Sequence, residues 1–229
     1  MKNNQIPRKN CSITSLSKQT LAFVDSIINS RNKTYDYQGI SFIVNSKVFP
    51  FDRSSKALAD YLHFESVDNV LDIGTGSGIQ AVIAHLKGAK NVLATDIDSK
   101  AVENAKLNIK QLGLEKNIKV LKSDLFVSIP LQKFNIILAN LPFSNHNYIC
   151  EVSHLLFDSG FKLHERFLSQ AKKYLSTSGK IILVGGSLGD EKTLFSLIAE
   201  YQYKILKMTT VPLEGIKWKI YELEANQDE

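Results

Sequence analysis

Short apolar runs alternate with stretches of helical periodicity from about residue 67 onward. The runs are rich in β-branched residues, as expected of strands buried within a sheet. The predicted strands are Val70–Ile73, Asn91–Thr95, Ile118–Lys122, Phe134–Ala139 and Lys180–Gly185. The predicted helices span 79–87, 98–112, 161–176 and 190–201, and the connection at 125–132 has no clear pattern. Strands alternating with helices indicate βαβ units and a mostly parallel sheet.

Two further strands are predicted near the C-terminus, at Tyr203–Thr210 and Lys217–Glu222. The segment between them contains Pro212 and Gly215 and is too short to cross over the sheet, so these strands should be antiparallel. The sequence therefore predicts an α/β fold with a doubly wound, seven-stranded, mostly parallel sheet that ends in an antiparallel hairpin.

The first 65 residues follow a different pattern. Residues 15–30 have the apolar spacing of an amphipathic helix, and Gly39–Val44 with Lys47–Phe49 predicts a hairpin around Asn45-Ser46. Ser54 or Ser55 is the predicted cap of a following helix. We therefore predict a small helical and hairpin appendage over 1–65, placed as a lid or on the substrate side, and a main domain over 66–229.

Charge distinguishes the N-terminal arm from the rest of the chain. The net charge is +5, and residues 1–33 carry six basic side chains and one acidic one, so the remainder is neutral with 22 of each. Such an arm can contact phosphates or an acidic partner, or it can be a solvated terminus. Because Phe23 is the only aromatic residue in the arm, the nucleic-acid interpretation is weakened.

Cysteine content and apolar runs bear on the compartment. Cys11 and Cys150 are far apart and lack metal-ligand spacing, so we predict free thiols, no disulfide and no metal site. The polar segment Met1–Asn10 does not have the apolar core of a secretory signal, and no apolar run reaches the ~18 residues of a membrane span. We therefore expect a soluble, cytoplasmic protein that does not enter a membrane.

The strongest motif is a glycine-rich turn between a strand and a helix, with Gly74, Gly76 and Gly78 after the run VLDI. Glycines are needed where the backbone takes positive φ and a ligand approaches closely. A dinucleotide fingerprint would place a third glycine at position 79, where Ile79 stands. The spacing thus argues against a pyrophosphate-binding helix.

Acidic residues follow the next two strands. Asp96, 22 residues after Gly74, can accept hydrogen bonds from both hydroxyls of a ribose, because the ends of neighbouring parallel strands face one crevice. Asp98 is the predicted N-cap of the helix that follows. Asp124, in Ser123-Asp124-Leu125-Phe126, can bind an exocyclic amine beside an apolar neighbour, although an Asp in this setting is often only a turn residue.

The fourth strand ends in Asn140-Leu141-Pro142-Phe143. The Asn140 side-chain oxygen and the Leu141 carbonyl can both accept hydrogens from one planar NH₂, which directs its lone pair at an electrophile. Pro142 stiffens the turn, and Phe143 offers an aromatic face to a planar substrate. The alternative is an ordinary Asn-x-Pro turn.

With these motifs the sequence resembles the class I methyltransferases, within the small-domain group that includes release-factor glutamine methyltransferases and rRNA N-methyltransferases. The resemblance covers about residues 45–223 and is carried by VLDIGTGSG, the acid of ATDID, SDLF and NLPF. It implies a Rossmann-like catalytic domain that uses S-adenosyl-L-methionine and releases S-adenosyl-L-homocysteine. The sequence departs from the family at Leu141, where the first proline of Asn-Pro-Pro-Tyr or Asn-Pro-Pro-Phe is usual.

The resemblance also implies roles for residues at the matching positions. The glycines would cradle the methionine portion, Asp96 would hold the ribose, and Asp124 would hold the adenine. The implied cofactor-binding residues are Asp72, Gly74, Thr75, Gly76, Gly78, Asp96, Ile97, Asp124, Leu125 and Asn140. The implied catalytic residues are Asn140, which orients the target nitrogen, with Pro142 and Phe143.

The mechanism implied by this resemblance needs no strong general base, because the sulfonium already activates the methyl group. His146 and His154 belong to the stretch 144–159, which we interpret as a substrate loop. His164 lies on a predicted helix, where a surface or packing role is more common than catalysis.

The acceptor stays open at this point. A glutamine-type amide in a protein is favoured because the body of the chain is neutral; a base amine in RNA or DNA and a small molecule are the alternatives. A non-catalytic module that only binds the donor is an interpretation of another class. The sequence does not indicate the oligomeric state or the number of methyl groups transferred.

Overall fold

Most predicted strands lie side by side in one sheet. The computed structural model describes residues 33–46, 48–145, 155–187 and 189–226, together with Lys18, Ala22 and Asp25. In chain order the elements are β1 (Lys33–Tyr37), β2 (Ile40–Val44), α1 (Arg53–Tyr61), β3 (Val67–Ile73), α2 (Ile79–Leu86), β4 (Ala89–Asp96), α3 (Ser99–Gln111), β5 (Ile118–Lys122), β6 (Phe134–Ala139), α4 (Lys162–Ala171), β7 (Leu175–Gly186), α5 (Glu191–Glu200), β8 (Tyr203–Leu213) and β9 (Ile216–Ala225).

The main sheet contains seven strands in the order β5-β4-β3-β6-β7-β9-β8. Strands β3 to β7 pair in parallel, and β9 is antiparallel to both β7 and β8. The predicted α/β architecture, with its antiparallel C-terminal hairpin, is confirmed. Pro212 lies in β8, at the edge of the sheet, where its missing N–H is tolerated.

Apolar side chains fill both faces of this sheet because successive residues of a strand point to opposite sides. Val70 packs in the core that includes residues of α1, α2 and α3, whereas its neighbour Leu71 packs in the core that includes residues of α4 and α5. The same alternation holds for Leu138 and Ile137 on β6. Helices on both faces make the fold doubly wound.

The predicted hairpin around Asn45-Ser46 is wrong. The hairpin joins β1 to β2 through Gln38-Gly39, and Lys33 pairs with Val44 at its open end. Both turn residues have positive φ, 53° and 82°, which is the geometry that matches the twist of a two-residue hairpin. The run KTYDY was missed as a strand because its polar residues mask the alternation that buries Tyr37.

The start of α1 also differs from the prediction. Asp52, not Ser54 or Ser55, is the N-cap, and its side chain accepts a hydrogen bond from the Ser55 backbone N–H at 3.0 Å. An ionised carboxylate is a strong acceptor for the free N–H groups of a first helical turn. In α3, by contrast, the predicted cap is confirmed, because Asp98 accepts from the Lys100 N–H at 2.9 Å.

The predicted helix over 161–176 is shorter in the structure. α4 ends at Ala171, a 3₁₀ turn covers Lys172–Tyr174, and β7 begins at Leu175 rather than near Lys180. The register of β7 against β6 shifts between Phe134 and Ile136. Gly179 lies within the shifted segment, and a Cβ there would be 2.8 Å from the Phe134 carbonyl oxygen. The absence of a side chain at this position therefore allows the backbones of β6 and β7 to lie this close together.

Several predictions fall outside the described residues. They are the helix over 15–30 apart from Lys18, Ala22 and Asp25, nearly all of the basic arm, Cys11, Cys150, His146 and His154. The division of the chain near residue 65 stays a prediction. Phe42 and Leu58 from the predicted appendage share one core with β3. Among the helices that the structure describes, none has the length and apolar character needed to cross a membrane.

Two buried asparagines on α3 complete the hydrogen bonding of β2 on the edge that β1 leaves free. Asn108 accepts from the Ile43 N–H at 2.9 Å and donates to the Ile43 carbonyl at 2.8 Å. Asn104 accepts from the Asn45 N–H at 2.7 Å. Asn108 also donates to the Ser77 carbonyl in the glycine-rich turn at 2.8 Å. The hairpin is thus attached to the turn through one side chain.

We predict that Asn108→Ala lowers the free energy of unfolding by about 2–4 kcal/mol, because it leaves the Ile43 N–H and the Ser77 carbonyl buried without these partners. Urea unfolding followed by circular dichroism measures the change. Lys110→Ala, on the exposed side of the same helix, is the matched control and should change stability by less than about 0.5 kcal/mol. An Asn108→Ala midpoint equal to that of the control would contradict the attachment.

Candidate functional site

The chain reverses direction after four adjacent strands, and these strands end at the same level of the sheet. Leu121, Thr95, Ile73 and Ala139 are paired across β5, β4, β3 and β6 in this order. Gly74, Asp96 and Asn140 directly follow three of these residues. The carboxyl ends of neighbouring parallel strands in a doubly wound sheet form the usual ligand crevice. The strand register therefore accounts for why the predicted site residues meet.

A cavity of about 300 Å³ lies at this edge, within the size range of small-molecule sites. Most of the predicted site residues line it: Gly74, Thr75, Gly76, Asp96, Ile97, Asp124, Leu125, Asn140, Pro142 and Phe143. Asp72 and Gly78 are the two predicted residues that do not line it. The structure therefore brings ten of the predicted residues together around one space.

Backbone hydrogen bonds fix the glycine-rich turn to the end of β4. The N–H groups of Gly74 and Thr75 both donate to the Thr95 carbonyl at 2.9 Å, and the Gly76 N–H donates to the Asp96 carboxylate at 2.9 Å. Gly74 and Gly76 have φ values of 72° and 57°, which side chains disfavour. The turn therefore presents bare backbone to the cavity.

Gly78 serves packing rather than direct contact with the cavity. It is the N-cap of α2 with φ 84°, and a Cβ there would lie 3.0 Å from the Cβ of Ala105 on α3. Both the conformation and the approach of the second helix require glycine. Its predicted role in cradling a ligand stays a prediction, and the geometry favours an indirect one.

Asp72 lies behind the turn, 2% exposed, and accepts a hydrogen bond from the Thr75 hydroxyl at 2.6 Å. The pKa of this carboxyl is raised to about 7, mainly by burial and also by the nearby charge of Asp96, while the hydrogen bond from Thr75 opposes the rise. The placement favours support of the turn through Thr75 over direct contact with a ligand.

Asp96 is held at the centre of the edge. Its carboxylate accepts from the N–H groups of Gly76 and Asp98, each at 2.9 Å. Burial raises the pKa of Asp96, and the two backbone hydrogen bonds partly offset this effect. Since each carboxylate oxygen can accept more than one hydrogen bond, the group can still bind ligand hydroxyls. Ile97 beside it is 59% exposed and provides an apolar wall.

Asp124 pairs with Arg166 from α4 at 2.8 Å, and both side chains are partly exposed. Arg166 also lines the cavity. Leu125 takes a positive φ of 48°, an uncommon conformation for leucine, as the chain turns after β5. This end of the cavity therefore combines one carboxylate, its paired guanidinium and an apolar side chain.

The side-chain amide of Asn140 is held by α1. Its Nδ2 donates to the hydroxyl oxygens of Ser54 at 3.1 Å and Ser55 at 3.3 Å. Leu141, the departure from the family motif, is buried, and its Cδ2 would lie 3.7 Å from a Cβ at Gly74. The reversal after β6 thus packs against the glycine-rich turn.

Phe143 lines the cavity but is only 8% exposed. Its ring meets Trp218 in a T-shaped contact with centroids 5.6 Å apart. This packing fixes the ring as a wall of the cavity. The predicted stacking of a planar substrate on its face stays a prediction, with little of the ring accessible.

His164 is fully buried, and its Nδ1 lies 2.8 Å from Asp158. Asp158 also accepts from the backbone N–H groups of Leu163 and His164 at the start of α4. His164 thus has the packing role expected for it. In the predicted substrate loop 144–159, residues 146–154 lie outside the described part, while Leu155 and Leu156 line the cavity.

The sequence interpretation missed residues that reach the cavity from outside the strand ends. These are mainly the wall formed by Phe49, Pro50 and Phe51, the serines of α1, and Arg166. The apolar run VFPF before α1 is a usable signal, because valine and phenylalanine are among the residues most often buried. No local pattern distinguishes Arg166 from other helix-surface bases.

Comparisons with known proteins identify the family to which the chain is similar. The family model described as methyltransferase small domain matches residues 39–210. A protein of Methanocaldococcus jannaschii, named provisionally as a protein N5-glutamine methyltransferase, is 30% identical over 74% of this chain and 88% of its own. A release factor glutamine methyltransferase of Leptospira interrogans is 35% identical over 62% of this chain and 51% of its own.

Solved structures show the same fold. A methyltransferase from Pyrococcus furiosus superimposes with a TM-score of 0.66 at 18% identity, over 91% of this chain and 98% of its own. At that identity the likeness concerns the fold alone.

We predict that Asp72→Asn stabilises the protein at neutral pH but not at acid pH. Asp72 has its pKa raised from 3.8 to about 7 on folding, so its favourable contribution is complete below pH ~4 and is lost as the pH rises through about 7. Tm measured between pH 4.5 and 8 should show the variant gaining on the wild type as pH rises, by about 2–4 °C for each kcal/mol.

Asp190→Asn is the control of opposite sign. Hydrogen bonds from Thr193 lower the pKa of Asp190 below its usual 3.8, so the stability lost in this variant should be constant between pH 4.5 and 8 and should shrink only as the pH falls below about 4. A difference in Tm between Asp72→Asn and the wild type that does not change with pH would show that folding does not raise the pKa of Asp72.

Proposed function

This chain belongs to the family of methyltransferase small domains, and we propose that it transfers a methyl group from S-adenosyl-L-methionine to a planar amide nitrogen of the glutamine type in a protein. The residues around the cavity support both halves of this reaction. The donor half is formed by the glycine-rich turn, Asp96 and Asp124, and the acceptor half by Asn140 and the walls near α1.

The donor half fits an adenosyl sulfonium. Bare backbone at Gly74 and Gly76 leaves room for a close ligand, and Asp96 and Asp124 offer acceptors for hydroxyl and amine groups. Among the described residues that line the cavity, Arg166 is the only cation, and it is paired with Asp124. An acidic cavity suits a cationic donor better than a pyrophosphate.

The observation that carries the proposal is the adjacency of Gly74 and Asn140 at the ends of paired strands. When bound, the donor supplies an activated methyl group on its sulfonium. The protein then has to hold the acceptor nitrogen in line and exclude water, tasks that account for most of the acceleration in such a displacement. The Asn140 oxygen and the Leu141 carbonyl can accept both hydrogens of one amide NH₂ and hold it there.

The acceptor half favours an uncharged group. We assign Phe51, Leu155 and Leu156 to its walls, and Arg166, the only lysine or arginine among the described residues that line the cavity, is paired with Asp124. The amide of a glutamine side chain is planar, neutral and carried on an apolar stem, so it matches these walls. The names of the relatives from M. jannaschii and L. interrogans, both glutamine methyltransferases, support the same acceptor.

A base amine in RNA is the second candidate, because residues 1–33 carry a net charge of +5 that can contact phosphates. The same clamp can hold an exocyclic amine. A module that binds the donor without transferring its methyl group is distinguished from both by the absence of product.

We predict that Asp96→Ala weakens S-adenosylmethionine affinity by about 1–3 kcal/mol, since ribose hydroxyls and the Gly76 N–H lose their acceptor. Isothermal titration calorimetry measures the change. Asp68→Ala removes an exposed carboxylate that pairs with Lys90 and does not line the cavity, and it serves as the matched control, with donor affinity retained. Equal affinity in Asp96→Ala and wild type would remove Asp96 from the site.

The acceptor is tested by transfer of a tritiated methyl group from the donor into cell-extract fractions. Label that protease removes and nuclease spares is expected. Complete enzymatic digestion of the labelled protein should yield N5-methylglutamine, and acid hydrolysis should release the label as methylamine. Asn140→Ala is the matched inactive variant, with donor binding unchanged and transfer reduced by about 100-fold or more. Nuclease-sensitive label would instead establish a nucleic-acid acceptor, and full activity of Asn140→Ala would refute the clamp.

A further inference from the structure

The orientation of the Asn140 amide decides whether the clamp can work. An amide has an accepting oxygen and a donating nitrogen at nearly the same positions, so the side chain can sit in two reversed orientations of similar shape. In one the oxygen faces the cavity and can accept from an acceptor NH₂. In the other the NH₂ of Asn140 faces the NH₂ of the substrate, and two donors meet.

Ser54 removes this ambiguity because its hydroxyl has a single proton. The Ser54 hydroxyl donates that proton to Oδ1 of Asp52 at 2.6 Å. Toward Asn140, 3.1 Å away, the Ser54 oxygen can therefore only accept. The part of the amide that faces Ser54 must then be the NH₂, which leaves the oxygen free to face the cavity.

Asp52 sets the direction of this hydrogen-bond chain. Its Oδ1 also accepts from the Ser55 backbone N–H at 3.0 Å, so it is an acceptor twice over. Its Oδ2 is buried without a hydrogen-bond partner among the described residues, and burial raises the pKa of the carboxyl. A proton taken up by Asp52 would reside on Oδ2, and Oδ1 would remain an acceptor in either state.

The serines that form these hydrogen bonds are also held firmly within the fold. Ser54 is 1% and Ser55 7% exposed, so water does not compete readily for these hydroxyls. The Ser55 carbonyl accepts from the Gln80 side chain on α2 at 2.7 Å. The first turn of α1 is thus fixed to the helix that starts from the glycine-rich turn, and it holds Asn140 at the wall of the cavity.

We propose that Asp52 and Ser54 are positioning residues that orient the Asn140 amide through a directed hydrogen-bond chain, with Ser55 as a second acceptor. The expected effect on turnover rests on the proposed function, whereas the series of hydrogen bonds from Asp52 to Asn140 does not. In the reversed orientation the NH₂ of Asn140 would face the NH₂ of the substrate, and neither could accept a hydrogen bond. The hydrogen bonds from Asp52 and Ser54 therefore fix the amide in the orientation in which its oxygen accepts.

The test observes the Asn140 side-chain amide directly by ¹⁵N–¹H NMR, with its pair of signals assigned by their loss in Asn140→Asp. In Ser54→Ala and in Asp52→Ala we expect these signals to shift and their exchange with water to rise about 3- to 10-fold, the equivalent of one hydrogen bond. Methyl transfer from tritiated S-adenosylmethionine into the protease-sensitive fraction should fall about 10-fold or more in kcat, while calorimetry shows the donor Kd changed by less than about twofold.

Asp190→Ala is the control for loss of a helix cap. Asp190 caps α5 by accepting from the Thr193 N–H at 3.1 Å and the Thr193 hydroxyl at 2.7 Å, the arrangement that Asp52 has on α1. This variant should lose comparable stability and leave the Asn140 signals in place. If Asp52→Ala does not fold, Ser54→Ala gives the same measurement without the loss of a cap.

Asn140 signals that stay unchanged in both variants, or that shift equally in Asp190→Ala, would overturn the positioning role. A wild-type protein that binds the donor and labels no fraction would instead refute the proposed function. The NMR outcome still decides on the hydrogen-bond chain in that case.

Discussion

Three consecutive backbone N–H groups of the glycine-rich turn donate to the end of the neighbouring strand, two to the Thr95 carbonyl and one to the Asp96 carboxylate. These hydrogen bonds determine where β3 stops and how its turn lies against β4. Because these backbone donors are satisfied by β4, Gly74 and Gly76 need no side chains to hold the turn, and their positions stay open toward the cavity. The shape of the proposed donor half of the cavity follows from this attachment.

The proposed acceptor half depends on elements that precede the main sheet in the chain. α1 holds Asn140 through two serine hydroxyls, and the β1–β2 hairpin is fixed to the glycine-rich turn through Asn108. Residues predicted as an appendage thus complete the site that the main sheet begins. The sheet and the N-terminal elements therefore supply different walls of one cavity.

Local sequence patterns were sufficient to predict many of the strands and helices of this structure. β5 and β6 have the bounds predicted from their apolar runs, and Asp98 caps α3 as expected. The hairpin was misplaced because its first strand is short and polar, so packing against α3 rather than periodicity determines it. The serines of α1 were interpreted as caps, since no sequence pattern reveals that they contact Asn140, 85 and 86 residues away.

The close approach of Gly78 to Ala105 limits how this protein can diverge. A larger residue at position 105 would have to push α3 away from the start of α2, and Asn104 and Asn108 on the same helix would move with it. Substitutions at this contact are therefore coupled to the register of the hairpin on the other side of α3. Substitutions should therefore be tolerated least at these few interior positions and most on the solvent side of the same helix, so one element combines two very different tolerances to change.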